Sequence, residues 1–245
     1  MPILILLFAI VALIYASVGF GGGSTYTALL ALWGVDYRAI PLISLLCNII
    51  VVSGGCWRYW RGGLIDWRAM APLLIVSAPL AFLGGQWPLE EGTFYLLLGG
   101  ALLLSALALI IPVKHLPRRQ LPLAVMMALS GAVGLLAGLS GIGGGIFMAP
   151  LLHLVRWADA RRIAAFASVY ILINSAAGIA GQFSKADTPP ITDVAAAYWP
   201  LMLAVFIGGQ AGSLIGLGWL SPQYLRWLTA ALVAYAALRL IMRSL

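Results

Sequence analysis

The sequence predicts an all-α integral membrane protein, a polytopic helical bundle of two homologous repeats. Each repeat begins with a glycine-broken helix pair and continues with three full spans. Three observations carry this prediction: a shortage of charge, a succession of apolar runs, and an internal duplication. Of 245 residues, 63% are apolar and 9% are charged, and the mean hydropathy is +1.04. A soluble domain carries about 25% charged residues to keep its surface wetted, so lipid must be the solvent here. Apolar segments recur from Leu4 to Ile241, which excludes a soluble domain held by a single anchor. The first run lacks a basic flank and a small-residue cleavage site, so it reads as a membrane segment and not as a removable signal.

The apolar runs fall at about 3–18, 25–34, 39–57, 69–88, 92–112, 121–139, 146–157, 163–182, 194–219 and 223–241. A full crossing takes roughly 20 residues. Runs 39–57, 69–88, 92–112, 163–182, 194–219 and 223–241 are long enough alone. The other four form two pairs, 3–18 with 25–34 and 121–139 with 146–157, each interrupted by glycine. The 9 Trp sit near run ends or glycine breaks, as an aromatic belt at headgroup depth requires. Cys47 and Cys56 share one apolar stretch, the placement of two buried small hydrophobes and not of a disulfide framework.

The duplication is visible as four landmarks in the same order. Gly19-Phe-Gly-Gly-Gly23 matches Gly141-Ile-Gly-Gly-Gly145, followed in both copies by a Leu pair, Leu29-Leu30 and Leu151-Leu152. Asn48 matches Asn174, Gly84-Gly-Gln86 matches Gly208-Gly-Gln210, and Tyr95-Leu96 matches Tyr224-Leu225. One transmembrane domain over 1–245 is therefore expected, with repeat 1 at about 1–113 and repeat 2 at about 120–245. Repeat-built bundles are the usual plan of secondary transporters.

Topology depends on the glycine-broken pairs. If each is one kinked crossing, the halves are parallel, and Arg38, Arg156, Arg161, Arg162 and Arg226 fall opposite the other basic residues. If each is a re-entrant hairpin, the halves are inverted, and Arg38, Lys185, Arg239 and Arg243 fall opposite the rest. The positive-inside rule slightly prefers the hairpin. Length agrees, since residues 3–33 as one helix would run about 46 Å against a core of roughly 30 Å. Both arrangements put loops 58–68 and 114–119 in the cytoplasm. The net charge of +7 resides in short loops between spans, so it speaks for membrane orientation and against nucleic-acid binding.

The glycine breaks are the first candidate site. Gly19-Phe-Gly21-Gly22-Gly23-Ser24-Thr25 and Ser140-Gly-Ile-Gly143-Gly144-Gly145 each lie between two half-helices. Consecutive glycines cost about 1 kcal/mol each in a helix interior, so the helix should stop there. Unwound backbone at membrane depth persists only where it is buried in protein or lines a cavity. Where the helix restarts, unpaired N–H groups and a positive dipole make an anion site that glycine leaves open to close approach. Close packing through small residues is the competing explanation; two matched motifs in two halves favour the site. Asn48 and Asn174, with Ser44, Ser53, Ser168 and Ser175 on the same spans, must find either an interhelical partner or a substrate oxygen.

Absences narrow the chemistry. The 7 acidic residues all fall in loops or at their edges, so no span carries the carboxylate of a cation pathway or proton relay. His115 and His153 lie in a basic loop and at a half-helix end. No metal constellation, Walker A pattern or HExxH occurs, so no cofactor is expected. Transport would be secondary or passive, an anion channel is the alternative, and a membrane-embedded enzyme would lack an acid, base or metal inside the bundle. An accessory subunit would have no need of two costly glycine breaks.

The chain resembles the TauE/SafE sulfite exporter family, the TSUP anion permeases. The resemblance rests on Ala16-Ser-Val-Gly-Phe-Gly-Gly-Gly-Ser24, Gly138-Leu-Ser-Gly-Ile-Gly-Gly-Gly145, Ser44 with Asn48, the Arg58-Tyr-Trp-Arg-Gly-Gly63 loop with Asp66-Trp-Arg68, and Ser168 through Asn174. It implies a bacterial inner-membrane transporter for sulfite, sulfonates, thiosulfate or related organosulfur anions, usually directed outward. The substrate-binding residues expected are Gly21, Gly22, Gly23, Ser24, Thr25, Ser44, Asn48, Gly143, Gly144, Gly145, Ser168 and Asn174. The expected partners are a small anionic solute and the lipid bilayer, with homo-oligomerisation left open. Ser24-Thr25 stands where the second copy has Ile146-Phe147, so the two halves need not bind alike.

Overall fold

The structure, a computed structural model, describes residues 1–110, 121–185, 188–215 and 222–244. The basic loop 114–119, Asp187 and Trp219 lie outside the described residues. Ten helices occur among the described residues, one for each apolar run: α1 (Pro2–Ala16), α2 (Gly23–Leu32), α3 (Ile40–Arg61), α4 (Trp67–Gln86), α5 (Glu91–Ile110), α6 (Leu123–Ser140), α7 (Gly145–Leu154), α8 (Ala160–Gln182), α9 (Ile191–Ile215) and α10 (Pro222–Ser244). Among the described residues no strand occurs. Five helices are long and apolar enough to cross a bilayer: α3, α4, α6, α8 and most of α9. The protein is an all-helical, multi-pass membrane protein.

Polar residues at the ends explain where several helices begin. Asp66 accepts the N–H groups of Arg68 and Ala69 at 3.1 and 3.2 Å, capping α4. Asp159 accepts the Arg162 N–H at 3.0 Å and caps α8. Each carboxylate also sits at the positive end of a helix dipole. These acids therefore have structural work at helix ends, in line with their exclusion from the spans.

α3 and α8 form the middle of the bundle. In each, 67% of the most apolar window is buried, against 28% for α9. They run antiparallel, because Leu45 opposes Gly178 near one end and Gly55 opposes Ser168 near the other. α1 packs on α9, α6 packs on α4, and α5 packs on α10. Glycines let these backbones touch. A Cβ at Gly134 of α6 would stand 2.8 Å from the Ser77 Cα, and one at Gly212 of α9 would stand 2.9 Å from the Leu13 Cα. Gly138 likewise meets the Ala81 carbonyl, and Gly208 the Ala9 carbonyl. The order of contacts along each pair makes α6 parallel to α4 and α1 parallel to α9. Such small-residue seams are how helices associate in lipid, where apolar burial gives no drive between them.

The chain doubles back at both glycine breaks. The Phe8 and Tyr26 rings stack with centroids 4.6 Å apart, whereas 18 residues of continuous helix would separate them by about 27 Å. In the second break, a Cβ at Gly144 would lie 3.0 Å from Val133 and 3.3 Å from Ala137. Trp33, Trp57, Trp60, Trp67 and Trp87 are exposed at helix ends, as the aromatic belt demands. Trp199 is exposed too, but a third of the way along α9.

Gly138→Val should lower the melting temperature in detergent by several degrees, because overpacking a tight seam costs about 1–3 kcal/mol. Gly100, whose Cβ would meet nothing within 4 Å, supplies the control: Gly100→Ala should leave the melting temperature level or slightly raised. Equal melting temperatures for Gly138→Val and the wild type would show that the α4–α6 seam is not close-packed.

Candidate functional site

Both short helices restart from left-handed glycines. Gly22 precedes α2 with φ 89°, and Gly144 precedes α7 with φ 78°. Only glycine takes such angles without strain. Neither helix has a side-chain cap, so the first N–H groups of each lack the partner a cap would supply. The Thr25 and Tyr26 N–H groups return to the Gly22 carbonyl, and those of Phe147 and Met148 to Gly144. The amides still uncommitted by helical geometry are those at the very start, around Gly23-Ser24 and Gly145-Ile146.

The two restarts meet at Asn48. A Cβ at Gly21 would lie 2.5 Å from Asn48 Oδ1, and one at Gly143 would lie 2.7 Å from its Nδ2. The Asn48 Nδ2 donates to the Ile142 carbonyl at 3.2 Å, and the Gly23 backbone lies directly against that same carbonyl. Asn48 is thus the pin between a loop from the N-terminal part of the chain and one from the C-terminal part. Ile171 of α8 packs on Gly21, Gly143 and Gly145, and the Ser175 hydroxyl is 3.2 Å from the Cβ position of Gly143.

Several polar atoms here are buried without partners: Ser24 Oγ, Asn48 Oδ1, both amide atoms of Asn174, and Ser175 Oγ. Each residue is 1% exposed or less. A buried unpaired polar group costs about 1–3 kcal/mol, and native interiors hold few of them. Ser24, Asn48 and Ser175 carry this cost beside two uncapped helix starts, and Asn174, the residue before Ser175 on α8, carries it too. No carboxylate is among these unpartnered groups.

The family model for the sulfite exporter TauE/SafE matches residues 4–240. The chain belongs to the TauE/SafE family. It is also 32% identical over 244 residues to a probable membrane transporter protein, y4hK, of Sinorhizobium fredii (strain NBRC 101917 / NGR234), an alignment covering 96% of this chain and 95% of that protein. No solved structure matches the chain. TauE/SafE membership makes it a membrane transporter or permease and not an enzyme.

The expected site residues divide into two groups. Gly21, Gly22, Gly23, Ser24, Asn48, Gly143, Gly144 and Gly145 come together around the two restarts, while Asn174 is buried on α8 one residue before Ser175, whose hydroxyl lies near Gly143. Thr25 is adjacent, but its hydroxyl is committed to Tyr15 Oη at 2.9 Å. Ser44 donates to the Gly23 carbonyl at 3.2 Å and holds the α2 start in place. Ser168 lies farther along α8, where it donates to Gly19 O at 2.8 Å and Ala164 O at 3.0 Å; it anchors the far side of the first loop. Ile171 is missing from the residues the sequence names, and Ser175 is named there only among the polar residues of the spans, not as a binding residue. Their signal was available in outline: both flank Asn174 at one-turn and next-residue spacing on the same span.

Asn174→Leu should raise the stability of the ligand-free protein, because it removes an unpaired buried amide worth about 1–3 kcal/mol. Asn48→Leu should lower stability, since it breaks the bond to Ile142 O and frees the two loops. Thermal unfolding of both purified variants in one detergent checks the pair; a less stable Asn174→Leu protein would mean that its amide is satisfied.

Proposed function

We propose that this TauE/SafE protein is a secondary transporter moving a small sulfur-containing anion, such as sulfite, a sulfonate or thiosulfate, out across the inner membrane. The carrying observation is that the segments leading into the uncapped starts of α2 and α7 meet at Asn48, through Gly21, Gly23 and Gly143, beside unpartnered Ser24 and Ser175. Two positive dipole ends and neutral donors suit an oxyanion, and the lack of a carboxylate disfavours a cation. The glycines bring backbone amides within reach of the solute. The relative's description as a membrane transporter supports the same class of activity.

The halves act as two inverted repeats, about 1–113 and 120–245. Support comes from the antiparallel α3 and α8 and from the exchange of partners, α1 on α9 and α6 on α4. Each glycine-broken pair is a re-entrant hairpin, supported by the Phe8–Tyr26 stack and the Gly144–Val133 approach. On this reading loops 58–68 and 114–119 face the cytoplasm, and movement of one repeat against the other gives alternating access. Neither nucleic acid nor a cofactor takes part.

Thermal shift with sulfite, sulfate, thiosulfate, taurine, sulfoacetate and chloride tests the substrate class. A hundredfold excess over the dissociation constant stabilises the folded protein by about 2.7 kcal/mol. One sulfur anion should do so in the wild type and not in Gly22→Leu or Asn174→Leu. Stabilisation by a cation or neutral solute, with none from any anion, would defeat the reading. Counterflow in proteoliposomes should then accompany binding; macroscopic currents without counterflow would make the protein a channel. For topology, an Arg68→Cys variant should react with an impermeant thiol reagent in inside-out vesicles and resist it in intact cells.

A further inference from the structure

A cavity of about 310 Å³ lies where α3 begins and α4 and α8 end, within the size range of small-molecule sites. It does not include Asn48 or Asn174. Its polar wall comprises Arg38, Gln86, Gln182, Ser184 and Lys185, and no carboxylate is among the described residues that line it. The Arg38 side chain is braced by Tyr37, with Nε 3.2 Å from the phenolic oxygen. Lys185, just beyond α8, is half-buried, and desolvation lowers its pKa. Gln182 is 1% exposed, and its Nε2 has no hydrogen-bond partner.

The cavity is placed to feed the centre. Pro41 and Leu139 form part of its lining, and the Gly141 backbone, at the head of the second glycine loop, rests on Pro41. Gln182 follows Asn174 by two turns of α8, about 12 Å. At the opposite end, the Arg58 guanidinium donates to Ser213 Oγ and reaches Gln210 Oε1 at 3.5 Å, tying α3 to α9. The bundle is therefore tied across α3 and α9 beside Arg58 and hollow beside Arg38.

We propose that this cavity is a second anion subsite, in which Arg38, Lys185 and the Gln182 amide hold a small oxyanion at the end of the bundle opposite Arg58. The subsite rests on the transport reading for the use made of the anion, but not for the binding itself. Its chemistry is that of a sulfonate or sulfur oxyanion: two cations and one neutral donor offered to a compact, multiply accepting group. A lipid headgroup phosphate shares that chemistry, so the experiment separates the two sources.

A single cysteine, Ser184→Cys, is introduced with Cys47 and Cys56 replaced by alanine, and the protein is placed in zwitterionic nanodiscs. Its reaction rates with an anionic methanethiosulfonate bearing a sulfonate and with a cationic analogue bearing a trimethylammonium are compared. The anionic reagent should react at least fivefold faster relative to its rate with a free thiol. That preference should fall to near parity in Lys185→Gln and Arg38→Gln. Sodium methanesulfonate should slow the anionic reagent more than sodium chloride at equal ionic strength. No preference in the parent, or equal slowing by both salts, would overturn the subsite. Slowing by added phosphatidylglycerol but not by methanesulfonate would overturn it as a solute site and assign the cavity to a headgroup. Because this assay measures no transport, selectivity in the Ser184→Cys protein together with a wild type that moves no anion would sink the transport reading and leave the subsite standing. A wild type that transports with an unselective Ser184→Cys would do the reverse.

Discussion

A backbone that leaves the helix inside a membrane has no water to satisfy its amides, so it must be surrounded by protein. That constraint organises this molecule around Asn48. Its amide donates to Ile142 O, and its oxygen and nitrogen lie against glycines from both loops. A larger residue at Gly21, Gly23 or Gly143 would occupy the space the amide needs. Ser44 and Ser168 extend the arrangement by taking the Gly23 and Gly19 carbonyls. The two unwound segments are thereby supported by side chains from α3 and α8, the two helices buried deepest. The surrounding helices shield that pair from lipid.

Close approach has to be obtained by other means than hydrophobicity, since lipid tails solvate leucine as well as a helix does. Glycine does this along α4–α6 and α1–α9, and the same residue type opens the loops. The two uses differ in conformation. Gly134, Gly138, Gly208 and Gly212 are helical and are required for contact, whereas Gly22, Gly141, Gly143 and Gly144 have positive φ and are required for shape. A count of glycines would not separate these roles; the dihedrals and neighbours do.

Charge is distributed in accordance with the same economy. Asp66 and Asp159 cap helices, and Arg61 lies over the Trp57 ring near the end of α3. What remains in the interior is neutral and, at Ser24, Asn174 and Ser175, unsatisfied. On the proposed transport reading, unsatisfied donors and acceptors near two helix starts are unfavourable for the empty protein and favourable once a solute binds, so stability of the resting state is exchanged for affinity.

The sequence by itself determined the solvent, the number of helices and their approximate limits, because hydropathy and helix-breaking glycine are local properties. It also singled out the two glycine loops and both asparagines, since a polar residue or a helix break is costly at membrane depth wherever it falls. It could not choose between a kinked crossing and a re-entrant hairpin: a glycine break permits either, and only long-range contacts such as that of Phe8 with Tyr26 bear on the choice. Nor could it tell which hydroxyls were free. Ser168 and Ser24 are the same residue type in similar apolar runs, yet one is bound to Gly19 O and the other has no partner. Hydrogen-bond satisfaction depends on what a distant segment places opposite a side chain, and that was decided by the tertiary structure alone.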